Sequence, residues 1–146
     1  MNGMNTSSFT DALRLLQVAG GIEARVSGEF SSVHGLSLNE FLLMRHLDGA
    51  PLHRLSRVDL AKRMHVNAST ITRMVAPMEK IGLLDRQSHE RDARLSFVVL
   101  TETGRTRLSE AEETFARHAE RMFAQGWTEA EREAFSTLLS RLAPPQ

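Results

Sequence analysis

The hydrophobic period of this chain switches at one glycine. Up to Gly82 the apolar residues recur at helical spacing, with Ile71, Met74, Val75 and Met78 on one stripe. Beyond it, residues 83–87 and 95–100 read as short strands, the second with Leu95, Phe97 and Val99 on one face. The stretch between them, residues 88–93, is polar or small and reads as a loop. A helix that stops at a glycine and passes directly into a hairpin with a charged tip leaves few architectures open.

The segments before the switch carry their own boundaries. Ser37 and Glu40 stand as a capping box, in which the serine hydroxyl accepts an N3 amide and the glutamate reaches back to the cap. That box opens a helix over residues 38–47, which Gly49, Ala50 and Pro51 stop. A second box, Ser56 to Asp59, opens a helix of about two turns over residues 58–64, with Leu60, Ala61 and Met64 inward. His65 and Val66 make a turn, and Asn67 is a good N-cap for a helix over residues 68–81. Pro77 removes a donor to the Arg73 carbonyl and is expected to kink or loosen the last turn, while Gly82 closes the helix.

Longer helical patterns flank this block. Residues 9–31 place Phe9, Leu13, Leu16, Ala19 or Gly20, Ala24 and Val26 on one stripe, with Gly20 and Gly21 weakening its middle. Residues 101–125 carry Leu108, Ala111, Phe115, Ala119, Met122 and Phe123 as a seam, and Gly126 breaks the helix. Thr128 and Glu131 form a third capping box ahead of Phe135, Leu138, Leu139 and Leu142. The fold class is therefore mostly α with a small β-hairpin wing, a winged helix-turn-helix between N- and C-terminal helices. Domain boundaries are expected near residues 1–34, 35–101 and 102–146.

Composition narrows the chemistry. The 146 residues include no cysteine, which excludes disulfides, thiolate metal sites and thiol redox sensing. No apolar run approaches the roughly 20 residues that span a bilayer, and no secretory signal is visible, so a cytoplasmic protein is expected. Net charge is zero, yet Arg45 to Arg94 holds ten bases and six acids, while Glu110 to Glu133 holds seven acids and three bases. A basic middle beside an acidic end fits a middle that meets phosphate, and on charge alone fits a chance fluctuation equally well. His34, His46, His53, His65, His89 and His118 never fall at i, i+3 or i, i+4, and no metal or other cofactor is expected. Met44, Met64, Met74, Met78 and Met122 lie at core spacing and are assigned to packing. No nucleophile–base pair or phosphate loop stands out, so the chain does not read as an enzyme.

The 68–81 helix presents Ser69, Thr70, Thr72 and Arg73 opposite its apolar stripe, with Asn67 at the cap. Compact hydrogen-bonding side chains near a helix N-terminus, followed by one long fork donor, suit entry into a DNA major groove. In the hairpin tip, Arg91 and Arg94 are placed to reach an adjacent minor groove. Arg57, Lys62, Arg63 and Arg86 are candidates for backbone contact or for a merely solvated surface. Arg45 and His46 could anchor a ligand carboxylate, though a surface pair is the simpler view.

These residues resemble the MarR-type transcriptional regulators. The wing signature is carried by Asp92-Ala93-Arg94, the strand ending Leu100-Thr101, and Gly104; the recognition helix by Asn67-Ala68-Ser69-Thr70-Ile71-Thr72-Arg73. The resemblance covers nearly the whole chain and extends to Leu60-Ala61 and to Pro77 in its Ala-Pro-x-Glu turn. It implies an obligate homodimer whose N-terminal and last two helices interlock, and recognition helices roughly 34 Å apart on a pseudo-palindromic double-stranded DNA operator. It implies that Arg94 enters the minor groove, with Asp92 orienting it or another arginine. It also implies a repressor released by a small phenolic or aromatic-acid effector, for which no binding residue is assigned. The competing reading is a helical dimer that serves as a protein-interaction scaffold without DNA binding.

Overall fold

A computed structural model describes residues 6–89, 91–92 and 95–143. They group into two compact units, Met1–Glu112 and Glu113–Gln146.

The first unit begins with α1 (Thr6–Glu29), which continues into a wider π-type turn over Phe30–His34. Only the end of α1 enters the core: Val26 is buried and Ile22 packs beside it. Phe30 is fully buried, edge-on to Phe41 with ring centroids 4.9 Å apart. Gly35, at φ +62°, turns the chain into α2 (Leu38–Asp48). The capping box is complete there: the Glu40 amide donates to Ser37 Oγ at 3.1 Å, and the Ser37 amide donates to Glu40 Oε1 at 2.8 Å. Phe41, Leu43, Met44 and Leu47 are buried along α2.

After a short 3₁₀ turn over Pro51–His53 the chain forms β1 (Arg54–Ser56), a strand the sequence pattern does not announce. Three residues are too few for alternation to register. Next come α3 (Arg57–Met64) and α4 (Ala68–Lys80). The Ser56 hydroxyl accepts the Asp59 amide at 3.1 Å and caps α3. His65 closes α3 in the left-handed region at φ +57°, and the Val66 amide returns to the Ala61 carbonyl at 3.0 Å. Ile71, Val75 and Met78 of α4 are fully buried, and Met74 is half-buried beside them. Helix α4 is not interrupted at Pro77; it runs on to Lys80, and Gly82 follows at φ +78°.

The wing consists of β2 (Leu84–Ser88) and β3 (Ser96–Leu100), with β3 central in an antiparallel sheet ordered β1-β3-β2. Gln87 lies opposite Phe97, and Ser56 flanks Phe97 on the other side. The core-facing residues of β3 are Val98 and Leu100. This reverses the weight given to Leu95, Phe97 and Val99, of which Leu95 lies outside the strand and is exposed. With apolar residues at Phe97, Val98, Val99 and Leu100, alternation cannot choose a face; only what packs behind the strand does.

Helix α5 (Glu102–Met122) spans both units. Within the first, Leu108 and Ala111 are buried, Arg45 of α2 pairs with Glu112 at 2.6 Å, and Arg107 Nη2 donates to the His34 carbonyl. Further along, Thr114 is buried while Phe115 remains exposed. The second unit adds α6 (Glu129–Ser140), opened by the Thr128–Glu131 capping box. Phe123, Trp127 and Phe135 pack on one another there, with centroids 5.2 to 6.1 Å apart. Among the described residues no helix is long and apolar enough to cross a membrane.

Gly104 is where α5 meets the wing. A Cβ there would stand 2.2 Å from the Leu83 carbonyl oxygen and 2.7 Å from Leu100 Cδ1. The obstacle includes backbone, so relief requires moving the β2–α5 junction. Gly104→Ala should lower stability by about 3 kcal/mol. Urea denaturation at fixed protein concentration measures this as a drop in midpoint; an unchanged midpoint would show that the junction yields freely.

Candidate nucleic-acid interface

The N-terminal turn of α4 is organised by one amide oxygen. Asn67 Oδ1 accepts the Thr70 amide at 2.9 Å, which makes Asn67 the N-cap. It also accepts the Ser69 hydroxyl at 2.7 Å and the Thr70 hydroxyl at 2.9 Å. Thr72 Oγ1 donates to the Ala68 carbonyl at 3.1 Å. Arg73 Nη2 approaches Thr70 Oγ1 at 3.4 Å. An amide oxygen can only accept, so the Ser69 and Thr70 protons are committed to Asn67 and their oxygens retain acceptor capacity. Acceptors suit the amino groups of adenine and cytosine, and the Arg73 fork suits guanine or phosphate. Asn67, Ser69, Thr72 and Arg73 are exposed and Thr70 is half-buried. The tight turn at His65 and Val66 holds α3 against α4 and leaves this face outward.

The wing tip is partly described. The His89 amide donates to the Leu95 carbonyl at 2.9 Å, and the Leu95 amide to the Asp92 carbonyl at 3.0 Å, which closes the loop. Arg91 is exposed, and its amide donates to His89 Nδ1 at 3.1 Å. Arg94, assigned to the minor groove, and hence the pairing assigned to Asp92, lie outside the described residues.

Of the backbone-contact candidates, Arg86 is engaged: its Nη2 lies 3.5 Å from Glu79 Oε2 and ties β2 to the end of α4. Lys62 and Arg63 are exposed on the last turn of α3, and Arg57 is half-buried at its start. Arg45 is committed to Glu112, in keeping with a structural pair. Arg54 went unnoticed in the sequence, because it depends on the unannounced strand β1; its guanidinium lies 4.4 Å from the Phe97 ring centroid. Among the described residues no three His, Asp or Glu side chains gather as a metal site requires.

The imidazole of His46 is held below the 6.5 of an unperturbed histidine, first by burial and then by electrostatic repulsion from Arg63, Arg45 and His65.

A family model for the MarR family matches residues 36–96. The HTH-type transcriptional repressor YetL of Bacillus subtilis (strain 168) is 32% identical over 110 residues, covering 74% of this chain and 64% of that protein. The chain thus spans less than two thirds of YetL. An uncharacterized HTH-type regulator of the same organism, YxaD, is 30% identical over 107 residues, 73% of each chain. The MarR-family regulator Sco3205 of Streptomyces coelicolor, solved in complex with DNA, superposes with a TM-score of 0.85 over 100% of this chain and 94% of its own, at 19% identity.

Two outcomes follow from this geometry. Asn67→Ala removes the cap and should cost about 1 kcal/mol of stability, measured by thermal melting at one protein concentration. Stability should also fall as pH drops below 6.5. The sign follows because the folded state disfavours the His46 proton while the unfolded chain accepts it. In His46→Gln that slope should be shallower, and an equal slope in both proteins would remove His46 as its cause.

Proposed function

The chain belongs to the MarR family, and we propose that it is a homodimeric repressor that binds a pseudo-palindromic site in double-stranded DNA and is released by a small phenolic or aromatic-acid ligand. Members of this family are transcriptional regulators, not enzymes. The observation that carries the DNA reading is the α4 face: Asn67, Ser69, Thr70, Thr72 and Arg73 at an exposed, capped helix start, in a chain whose wing exposes Arg91. The complex of Sco3205 with DNA supports the same use of the fold. The repressor assignment takes support from YetL. Residues 35–101 would then form the DNA-binding domain, working in the cytoplasm.

The homodimer is supported by apolar surface that the single chain leaves bare. Phe9, Leu13 and Leu16 recur along α1 at helical spacing and are 44 to 69% exposed. Phe135, Leu138, Leu139 and Leu142, on and just beyond α6, are likewise exposed. Stripes of this length normally meet a partner. Residues 1–34 and 102–146 would supply the dimer contacts. The ligand reading rests on the family resemblance. Differential affinity for two spacings of the recognition helices would give the release.

Fluorescence anisotropy against the DNA upstream of the gene and a scrambled duplex, across a salt series, tests the proposal. The upstream DNA should bind tighter, with affinity falling steeply as salt rises. Arg73→Ala should weaken that complex by about tenfold or more, since one bidentate contact contributes roughly 1–3 kcal/mol. Arg94→Ala should weaken it comparably, and sedimentation should show both variants still dimeric. Leu16→Glu should lower dimer affinity instead. No binding even at low salt would sink the regulator mechanism proposed for this chain and leave a helical scaffold.

A further inference from the structure

The outer face of the wing sheet carries a second cationic feature, separate from the α4 face. In an antiparallel pair, directly opposed residues project to the same side of the sheet. Arg86 is opposed to buried Val98 and reaches Glu79 of α4, so that side faces the core. Gln87 is opposed to Phe97, one residue on, and this pair projects to the other side. There the Arg54 guanidinium sits 4.4 Å from the Phe97 centroid, and Arg54 Nη1 donates to Gln87 Oε1 at 2.5 Å. Both contacts fix the head group before any ligand arrives. Gln87 takes one of five guanidinium N–H donors, which leaves most of the fork for an oxyanion.

The neighbouring groups are donors too. The His89 ring packs beside Phe97, with centroids 5.6 Å apart. Its Nδ1 accepts the Arg91 amide at 3.1 Å, so the neutral ring carries its proton on Nε2 and offers a donor. Arg54, Gln87, Ser88, His89, Arg91 and Phe97 line a groove of about 330 Å³. Its size falls at the lower end of the roughly 300–1,000 Å³ of small-molecule sites. Among the described residues its lining holds two guanidinium groups and no carboxylate. A concave site lined by two guanidinium groups, that of Arg54 held in place, concentrates anions.

We propose that this groove binds a phosphate-class oxyanion, with Arg54 as its anchor and His89 and Arg91 as further donors. The anion is either a free phosphate compound or a backbone phosphate of DNA. The second source rests on the DNA-binding function proposed above; the first does not.

Inorganic phosphate titrated into the full-length protein at constant ionic strength, followed by NMR of the Arg54 Nε–H and the His89 ring, tests the site. A saturable shift of both signals, absent with chloride and lost in Arg54→Gln, is the expected result. Duplex binding across a salt series separates the sources. If the site takes a backbone phosphate, Arg54→Gln should reduce the salt slope by about one per occupied groove while preference for the upstream DNA persists. If it takes a free anion, the slope stays and the phosphate shifts remain. His89→Ala repeats the phosphate titration, read at the Arg54 Nε–H, should Arg54→Gln fold poorly. No saturable shift together with an unchanged slope would overturn the proposal. A wild-type protein that binds no duplex would sink the DNA reading alone, because the phosphate titration still decides the groove.

Discussion

The Thr101 amide donates to the Leu83 carbonyl at 3.1 Å, and the Thr101 hydroxyl lies 2.6 Å from the Gly82 carbonyl oxygen and 3.0 Å from that of Leu83. The same hydroxyl accepts the Gly104 amide at 3.0 Å and so caps α5. One side chain therefore fastens the end of α4, the return strand of the wing and the start of α5. Gly104 completes the knot by letting the α5 backbone come as close to Leu83 as it does. Helix α4 and the wing cannot shift independently without breaking several of these bonds. A DNA reader made of a helix and a hairpin needs that fixed relation, because both must enter their grooves at once.

Around that junction the polar surface is organised ahead of any partner. Asn67 gathers the first turn of α4, and Phe97 with Gln87 holds Arg54 on the far side of the sheet. Side chains ordered in this way lose less freedom on binding than free ones. The apolar surface shows the reverse. The stripe of α1 and the exposed residues of α6 are finished helices without a finished environment in the single chain.

Much of the fold was legible because its signals are local. The capping boxes at Ser37 and Thr128, the Asn67 cap and the Gly82 stop each act within one helical turn. Ile71, Val75 and Met78 keep the helical period, and the structure buries all three. The α4 candidates were readable for the same reason: helical spacing alone puts Ser69, Thr72 and Arg73 away from the apolar stripe. Strand β1 was not legible, since Arg54, Leu55 and Ser56 become a strand only by pairing with β3. Arg54 was missed with it. Pro77 shows the other limit, because the burial of Met78 and the closure at Gly82 hold the turn that the proline alone would loosen.

By itself the sequence determined the order of the helices and of the two wing strands, the stops between them and the polar face of α4. Those depend on backbone propensity, capping and period, which are properties of neighbouring residues. Tertiary structure alone decided which face of β3 turns inward, because Phe97, Val98, Val99 and Leu100 are apolar on both sides. Pairing with β1 and β2 then set Arg54 and Gln87 over Phe97, and the approach of α5 gave Gly104 its necessity. These are contacts between segments far apart in the chain, and no local pattern encodes them.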